Sequence, residues 1–236
     1  MSTQVLKKWT DVDLAAFHCK DAKANASGKG KTVQQTYENS NKRLVVQTPW
    51  MHVPFAVSVF EDEQSKVKKH TLVLSTRGCD PTFVELLSSM DEYNVQQAMN
   101  NNRDWFGDAK VVGKEIVQDR YRSILKEDPN GKYDPQFRIK LPVNGDNFEF
   151  MMYDETKKEL TGLDSIQPGC QVRALLEASN VYIADKTFGQ VLRAVQLQVA
   201  RTQKIEDFAF ADDKSEDATE DVDADSDEVA SMEEYT

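Results

Sequence analysis

Residues 206–236 cannot build a core of their own, and that sets the limits within which the rest of the chain must fold. Fourteen carboxylates and a single base, Lys214, occupy those thirty-one positions, a net charge of −13. Like charges repel, and few apolar side chains are present to offset the ordering entropy, so the segment is expected to stay disordered. The whole chain carries −11, so residues 1–205 hold 28 bases against 26 acids, a net +2. A protein acidic on average is therefore a mildly basic body with an anionic tail. Composition leaves two readings of the tail open: a polyanion that mimics nucleic acid against a basic groove, or a solubilising appendage.

About 200 residues suffice for one domain with a sizeable core, and an all-β barrel of that size forms a single unit. No stretch approaches the roughly 20 apolar residues of a membrane span. The opening MSTQVLKKWTDVDL lacks the apolar run of a secretory signal. Cys19, Cys79 and Cys170 are odd in number and widely spaced, which argues against a disulfide framework and for a reducing compartment. No cysteine pair has zinc spacing, and His18, His52 and His70 stand apart from one another. Gly28-Lys-Gly-Lys-Thr32 lacks the first glycine and the preceding strand of a phosphate-binding loop. The acidic pairs Asp11/Asp13 and Asp62/Glu63 have no third ligand beside them. The expectation is a protein with no catalytic constellation, no metal and no cofactor.

Three regions follow along the chain. Residues 1–41 are expected to be a partly flexible N-terminal segment, because 20–42 are small and polar with Gly28 and Gly30. Residues 42–205 form the body, and 206–236 the tail. In the body, Arg43-Leu-Val-Val-Gln-Thr48, Phe55–Phe60 and Thr71–Ser75 read as strands. Asp80-Pro81 opens a helix carrying Phe83, Leu86, Leu87 and Met90, and a second helical run follows from Asp91 to Trp105. Strand signals resume over Glu115–Leu125, Phe137–Leu141, Phe148–Tyr153, Gln171–Ser179, Val181–Ala184 and Val191–Val199. In the last, Val191, Arg193, Val195, Leu197 and Val199 are expected to share one face. Asn144-Gly145 is the best hairpin signal. The fold class is mainly β with a helical insertion, a closed barrel or a sandwich with a helix packed on one end.

What could carry function is an interleaving of bases and aromatics on strands. The candidate nucleic-acid-binding residues are Lys42, Arg43, Trp50, Arg120, Tyr121, Arg122, Arg138, Lys140, Arg173, Lys186, Phe188 and Arg193. Phe55, Lys157-Lys158 and the Lys66/Lys68/Lys69 cluster add to them. A single strand binds where cations track phosphates and bases stack on aromatic faces. For any one aromatic, core packing is the stronger alternative. Tyr121 poses the choice sharply, because strand alternation puts it on the face opposite Arg120 and Arg122. Either the ring stacks on a base, or it packs in the core and both arginines face the ligand.

Five blocks carry a resemblance. They are Arg43-Leu-Val-Val-Gln-Thr-Pro-Trp-Met51, Asn102-Arg-Asp-Trp-Phe-Gly107, Tyr133-Asp-Pro-Gln-Phe-Arg-Ile-Lys140, Val181-Tyr-Ile-Ala-Asp-Lys-Thr-Phe-Gly189 and Val195-Gln-Leu-Gln-Val199. Over about residues 42–200 the chain resembles the single-stranded-DNA-binding proteins of nucleocytoplasmic large DNA viruses. That resemblance implies an OB-fold core with a disordered acidic C-terminus. It also implies a non-enzymatic protein that coats single-stranded DNA during viral replication, recombination or repair, in the host cytoplasm or nucleus. The end Glu233-Glu-Tyr-Thr236 is similar to aromatic-tipped acidic tails that dock replication proteins. Asp221, Asp223, Asp225, Asp227, Glu228, Glu233, Glu234 and Tyr235 are accordingly the candidate partner-binding residues. Two alternatives stay open: a structural or interaction protein of a virion, and an acidic-tailed nucleoprotein chaperone. Homo-oligomerisation is left open as well.

Overall fold

Alternation in one strand shows how the body is organised: Phe137, Ile139 and Leu141 are buried while Arg138 and Lys140 between them are exposed. Val172, Ala174 and Leu176 repeat that inward spacing later in the chain. The computed structural model describes residues 4–200 apart from 26–27, 29, 39–40, 62–67, 109, 111 and 145–146. The expected tail, with its eight candidate partner-binding residues, lies outside the described residues.

The first half of the chain supplies β1 (Gln4–Lys8), β2 (Phe17–Ala24), β3 (Lys31–Tyr37), β4 (Arg43–Gln47), β5 (Met51–His52), β6 (Ser58–Glu61) and β7 (Lys68–Ser75). Three helices follow, α1 (Pro81–Asn100), α2 (Asn102–Phe106) and α3 (Lys114–Arg120). The second half adds β8 (Tyr121–Arg122), β9 (Gln136–Leu141), β10 (Val143–Asn144), β11 (Asn147–Phe148) and β12 (Met151–Asp154). The long hairpin β13 (Gln171–Ala184) and β14 (Thr187–Ala200) completes the set.

Six of these strand segments close on themselves as five strands. Taking β4 and β5 as one bent strand, β5 pairs β7, β7 pairs β9, β9 pairs β14, β14 pairs β13, and β13 returns to both β4 and β5. All pairings are antiparallel except β9 with β14. The order around the ring is thus first, second, third, fifth, fourth and back to the first. That is a five-stranded Greek-key barrel of the OB type. Leu72, Leu74, Phe137, Ile139, Val172, Leu176, Leu197 and Val199 fill its interior. Helix α1 plugs one end with Phe83, Leu86, Leu87 and Met90. Asp80 caps that helix by accepting from the Thr82 amide at 3.0 Å, with Pro81 in its first turn, as the sequence predicts.

The long hairpin runs on past the barrel. An extra residue, Ser179, on β13 and another, Val195, on β14 bend it, because Ala178 and Asn180 face Leu192 and Val191, while Leu175 and Leu176 face Gln196 and Ala194. Beyond the bends β13 pairs β3, which pairs β2. This extension has its own core of Val33, Val95, Ala98, Trp105, Val117, Tyr121, Val181, Ile183 and Phe188, closed by α1, α2 and α3.

Four expectations are corrected here. Residues 20–42 carry most of β2 and β3 rather than a flexible linker; buried Val33 and Tyr37 anchor them, and buried Gln35 donates to Asn94 at 2.8 Å. Residues 115–125 are not one strand, because α3 ends at Arg120 and only Tyr121 and Arg122 pair with β14. Most of the second helical run joins the first in α1, whose buried positions lie on one face. The bulge at Val195 breaks the common face expected for β14, leaving Leu192 and Ala194 inward before it and Leu197 and Val199 after it.

Candidate nucleic-acid interface

A cleft opens on the outer face of the barrel where strand pairing is interrupted. On the edge of β14 away from β13, β8 pairs at Phe188 and Gly189, and β9 pairs only at Arg193. Residues Gln190, Val191 and Leu192 between those contacts form the floor of an open cleft of about 690 Å³. One wall is the segment Arg122–Lys126 after α3; the other is the outward row Thr71, Arg138 and Lys140 on β7 and β9. Tyr121 on β8, Tyr182 on β13 and Thr187 complete the lining.

The electrostatics of the cleft are one-sided. Arg122, Lys126, Arg138 and Lys140 line it, and among the described residues no carboxylate does. Partial desolvation, and then the neighbouring Lys69, hold the Lys140 ammonium below its ordinary value. Like charges held together on a partly dry surface favour the arrival of an anion. On β6 and β7, Phe60 lies opposite Lys69 in register, and Ser58 opposite Thr71. The row Ser58, Thr71, Lys140, Arg193 therefore runs across four strands, with the exposed Phe60 one row further out.

Glycine makes the inner wall possible. A Cβ on Gly189 would lie 2.9 Å from the Arg122 carbonyl oxygen and 3.0 Å from the Tyr182 ring. Only a bare backbone lets β8 and that ring approach β14 so closely.

The structure sorts the sequence-predicted residues clearly. Arg122, Arg138 and Lys140 come together in the cleft. Tyr121 is 9% exposed and Phe188 is fully buried, their rings 4.9 Å apart in the second core; Tyr121 reaches the cleft lining with that small exposed part, and Phe188 does not reach it. Arg120 is also displaced from the cleft: it pairs with Asp108 at 2.5 Å and lies over the Phe106 ring at 5.1 Å. Lys186 shares that partner at 3.2 Å, and the two bases hold the Asp108 carboxyl below the usual range. Arg43 pairs with the buried Glu177 at 3.3 Å. Arg193 pairs with Glu149 at 2.6 Å beside the cleft. Arg173 stacks 5.1 Å over Trp50 and donates to Gln198 at 2.6 Å, and neither Arg173 nor Trp50 lines the cleft. Lys42 is exposed at the start of β4, where its carbonyl accepts from the Tyr37 amide at 2.9 Å.

Sequence reasoning missed Lys126 and Tyr182. Tyr182 had a signal, since Val181 and Ile183 on either side are buried and alternation turns the tyrosine outward. Lys126 had none, because it follows an apolar pair in an irregular segment.

The model of the Family of unknown function (DUF5871) matches residues 64–212. No curated protein matches the chain. Among solved structures the chain is similar to gp2.5, a single-stranded DNA binding protein encoded by bacteriophage T7. The identity is 9%, over 71% of this chain and 98% of that one, with a TM-score of 0.45. It is also similar to the single-stranded DNA-binding protein from bacteriophage Enc34 in complex with ssDNA, at 11% identity over 80% and 94% of the chains, with a TM-score of 0.38.

Proposed function

The chain belongs to the Family of unknown function (DUF5871), a membership that brings no activity with it, and we propose that the protein binds single-stranded DNA through the cationic cleft. The observation that carries this reading is a lining of four cations without a carboxylate, among the described residues: Arg138 and Lys140 on the outer face of the third barrel strand, beside the second, and Arg122 and Lys126 on the wall opposite. That is the face OB barrels use for oligonucleotides. Arg122, Lys126, Arg138 and Lys140 take phosphates, Arg193 stands at the margin, and Tyr182 offers a ring. No chemistry on the strand is involved in this reading: the protein coats and protects it in viral replication, recombination or repair. The anionic segment 206–236, at −13 against a body of +2, competes with DNA for the cleft and, once displaced, docks other replication proteins.

The test is a titration of the full chain with oligo-dT at several salt concentrations. Four phosphate contacts on a single strand predict a log–log slope of about −3. Binding that ignores salt would sink the cleft's role. Absence of binding even after removal of 206–236 would favour a structural protein of the virion, and histone binding that depends on that segment would favour a chaperone.

A further inference from the structure

A second cleft, of about 630 Å³, opens on the same outer face further along β7 and β9. Its floor is a row of the sheet, His52, Ser75 and Gln136, which register sets side by side across β5, β7 and β9. Its walls are two connecting segments, Pro54 and Phe55 on one side and Lys132, Tyr133 and Asp134 on the other, with Arg77 at the rim. Gln136 precedes Arg138 by two positions on the same face of β9, about 7 Å along the strand. The two clefts therefore lie on one continuous surface.

The aromatics in this second cleft are not core residues. Phe55 is 57% exposed and Tyr133 is 60% exposed. The Lys132 ammonium stands 5.2 Å from the centre of the Tyr133 ring. Two large rings held open to water, flanked by Arg77 and Lys132, match the chemistry of an unpaired nucleobase and its phosphate. A base in a duplex is already stacked and cannot offer its faces, so the same feature discriminates for single strands.

Building on the single-stranded-DNA reading of the first cleft, we propose that the Phe55–Tyr133 cleft is a base-stacking subsite for the strand whose phosphates lie along Arg122, Arg138 and Lys140. The cationic cleft supplies the salt-dependent part of binding, and this subsite supplies a part that depends on bases and hardly on salt.

The experiment compares full-chain wild type, the double variant Phe55→Ala/Tyr133→Ala, and the ring-preserving variant Phe55→Tyr/Tyr133→Phe. Each is titrated with oligo-dT and with an abasic strand of equal length. The double alanine variant is expected to lose about fivefold to a hundredfold in oligo-dT affinity per stacked ring, with an unchanged salt slope and an unchanged melting temperature. Its affinity for the abasic strand matches that of wild type, and the ring-preserving variant keeps full oligo-dT affinity. Wild-type binding to oligo-dT that the alanine variant reproduces, or an equal loss on the abasic strand, overturns the subsite and leaves the cationic cleft standing. Failure of wild type to bind oligo-dT at all overturns both.

Discussion

The Tyr121 hydroxyl donates to the Asp91 carboxylate at 2.5 Å, and that contact fastens the wall of the cationic cleft to α1. The same carboxylate accepts from the Ser123 hydroxyl and from the Ile124 amide at 3.1 Å. One turn along the helix, the Asn94 amide donates to the Tyr121 oxygen at 3.3 Å and to Gln190 at 2.9 Å. A polar network thus lies beneath the cleft and joins α1, β8 and β14. Such networks fix one arrangement when their members are satisfied.

Replacing Asp91 with asparagine gives a pH-dependent prediction. Burial raises the Asp91 carboxyl above its ordinary 3.8, outweighing the hydrogen bonds from Ser123, Tyr121 and Ile124 that lower it. A carboxyl raised in the folded state binds its proton more tightly there. Its contribution to stability is therefore full below the unfolded value and is lost as pH rises through the folded one. The asparagine side chain does not titrate, so the stability deficit of Asp91→Asn is expected to be larger at about pH 4 than at about pH 7. Denaturant unfolding of both proteins at each pH measures it, and a deficit that grows with pH contradicts the raised carboxyl.

Tyr121 separates packing from ligand contact. Tyr121→Ala empties a site in the second core against Phe188, and the expected cost is about 3–5 kcal/mol of stability. Tyr121→Phe keeps the ring and removes only the donor to Asp91, for about 1–3 kcal/mol. Thermal melts of the two variants side by side check the order. A small loss for the alanine variant would return the ring to the ligand.

Arg138→Ala/Lys140→Ala is the counterpart on the open face. Both side chains are exposed on β9, so the fold is expected to hold. Oligo-dT binding weakens for every base sequence, and the salt slope flattens by about 0.7 for each lost contact. Arg120→Ala provides the contrast, because its partner Asp108 is structural: it lowers the melting temperature and leaves the slope unchanged. The same slope change in both variants would remove the distinction between cleft and scaffold.

How far these residues could be read in advance follows from their neighbours. Arg138 and Lys140 were legible because period-two alternation with Phe137, Ile139 and Leu141 fixes their face whatever the partner strands do. The start of α1 was legible from Asp80 and Pro81, a local signal. Residues 115–121 were not, since Ile116 is half exposed beside a fully buried Val117 and the pair has no clear period. Strands β2 and β3 hid behind polar residues such as Gln35, whose burial depends on Asn94 far along the chain. Both clefts are tertiary: the first exists because β9 and β8 leave part of β14 unpaired between them, and no local pattern encodes that gap.

Gly189 tests the packing behind the first cleft. A methyl group there meets the Arg122 carbonyl at 2.9 Å, a backbone atom that cannot swing aside. Gly189→Ala is expected to cost about 1–3 kcal/mol and to weaken oligo-dT binding by displacing the wall that carries Arg122. Unfolding and binding measured on the same variant check both effects. Unchanged stability would show that β8 yields freely.

Deleting residues 206–236 examines the charge asymmetry with which the chain is built. A tethered polyanion of −13 faces a body of +2, and its effective concentration at the cleft does not fall with dilution. Truncation is therefore expected to tighten oligo-dT binding most at low ionic strength. The gain shrinks toward about 0.15 M salt, where the Debye length is about 8 Å and screening weakens tail and DNA alike. Isothermal titration of both proteins across a salt series gives the comparison. A truncated protein that binds no better at low salt has lost only a solubilising appendage, and the proposed competition for the cleft is then ruled out.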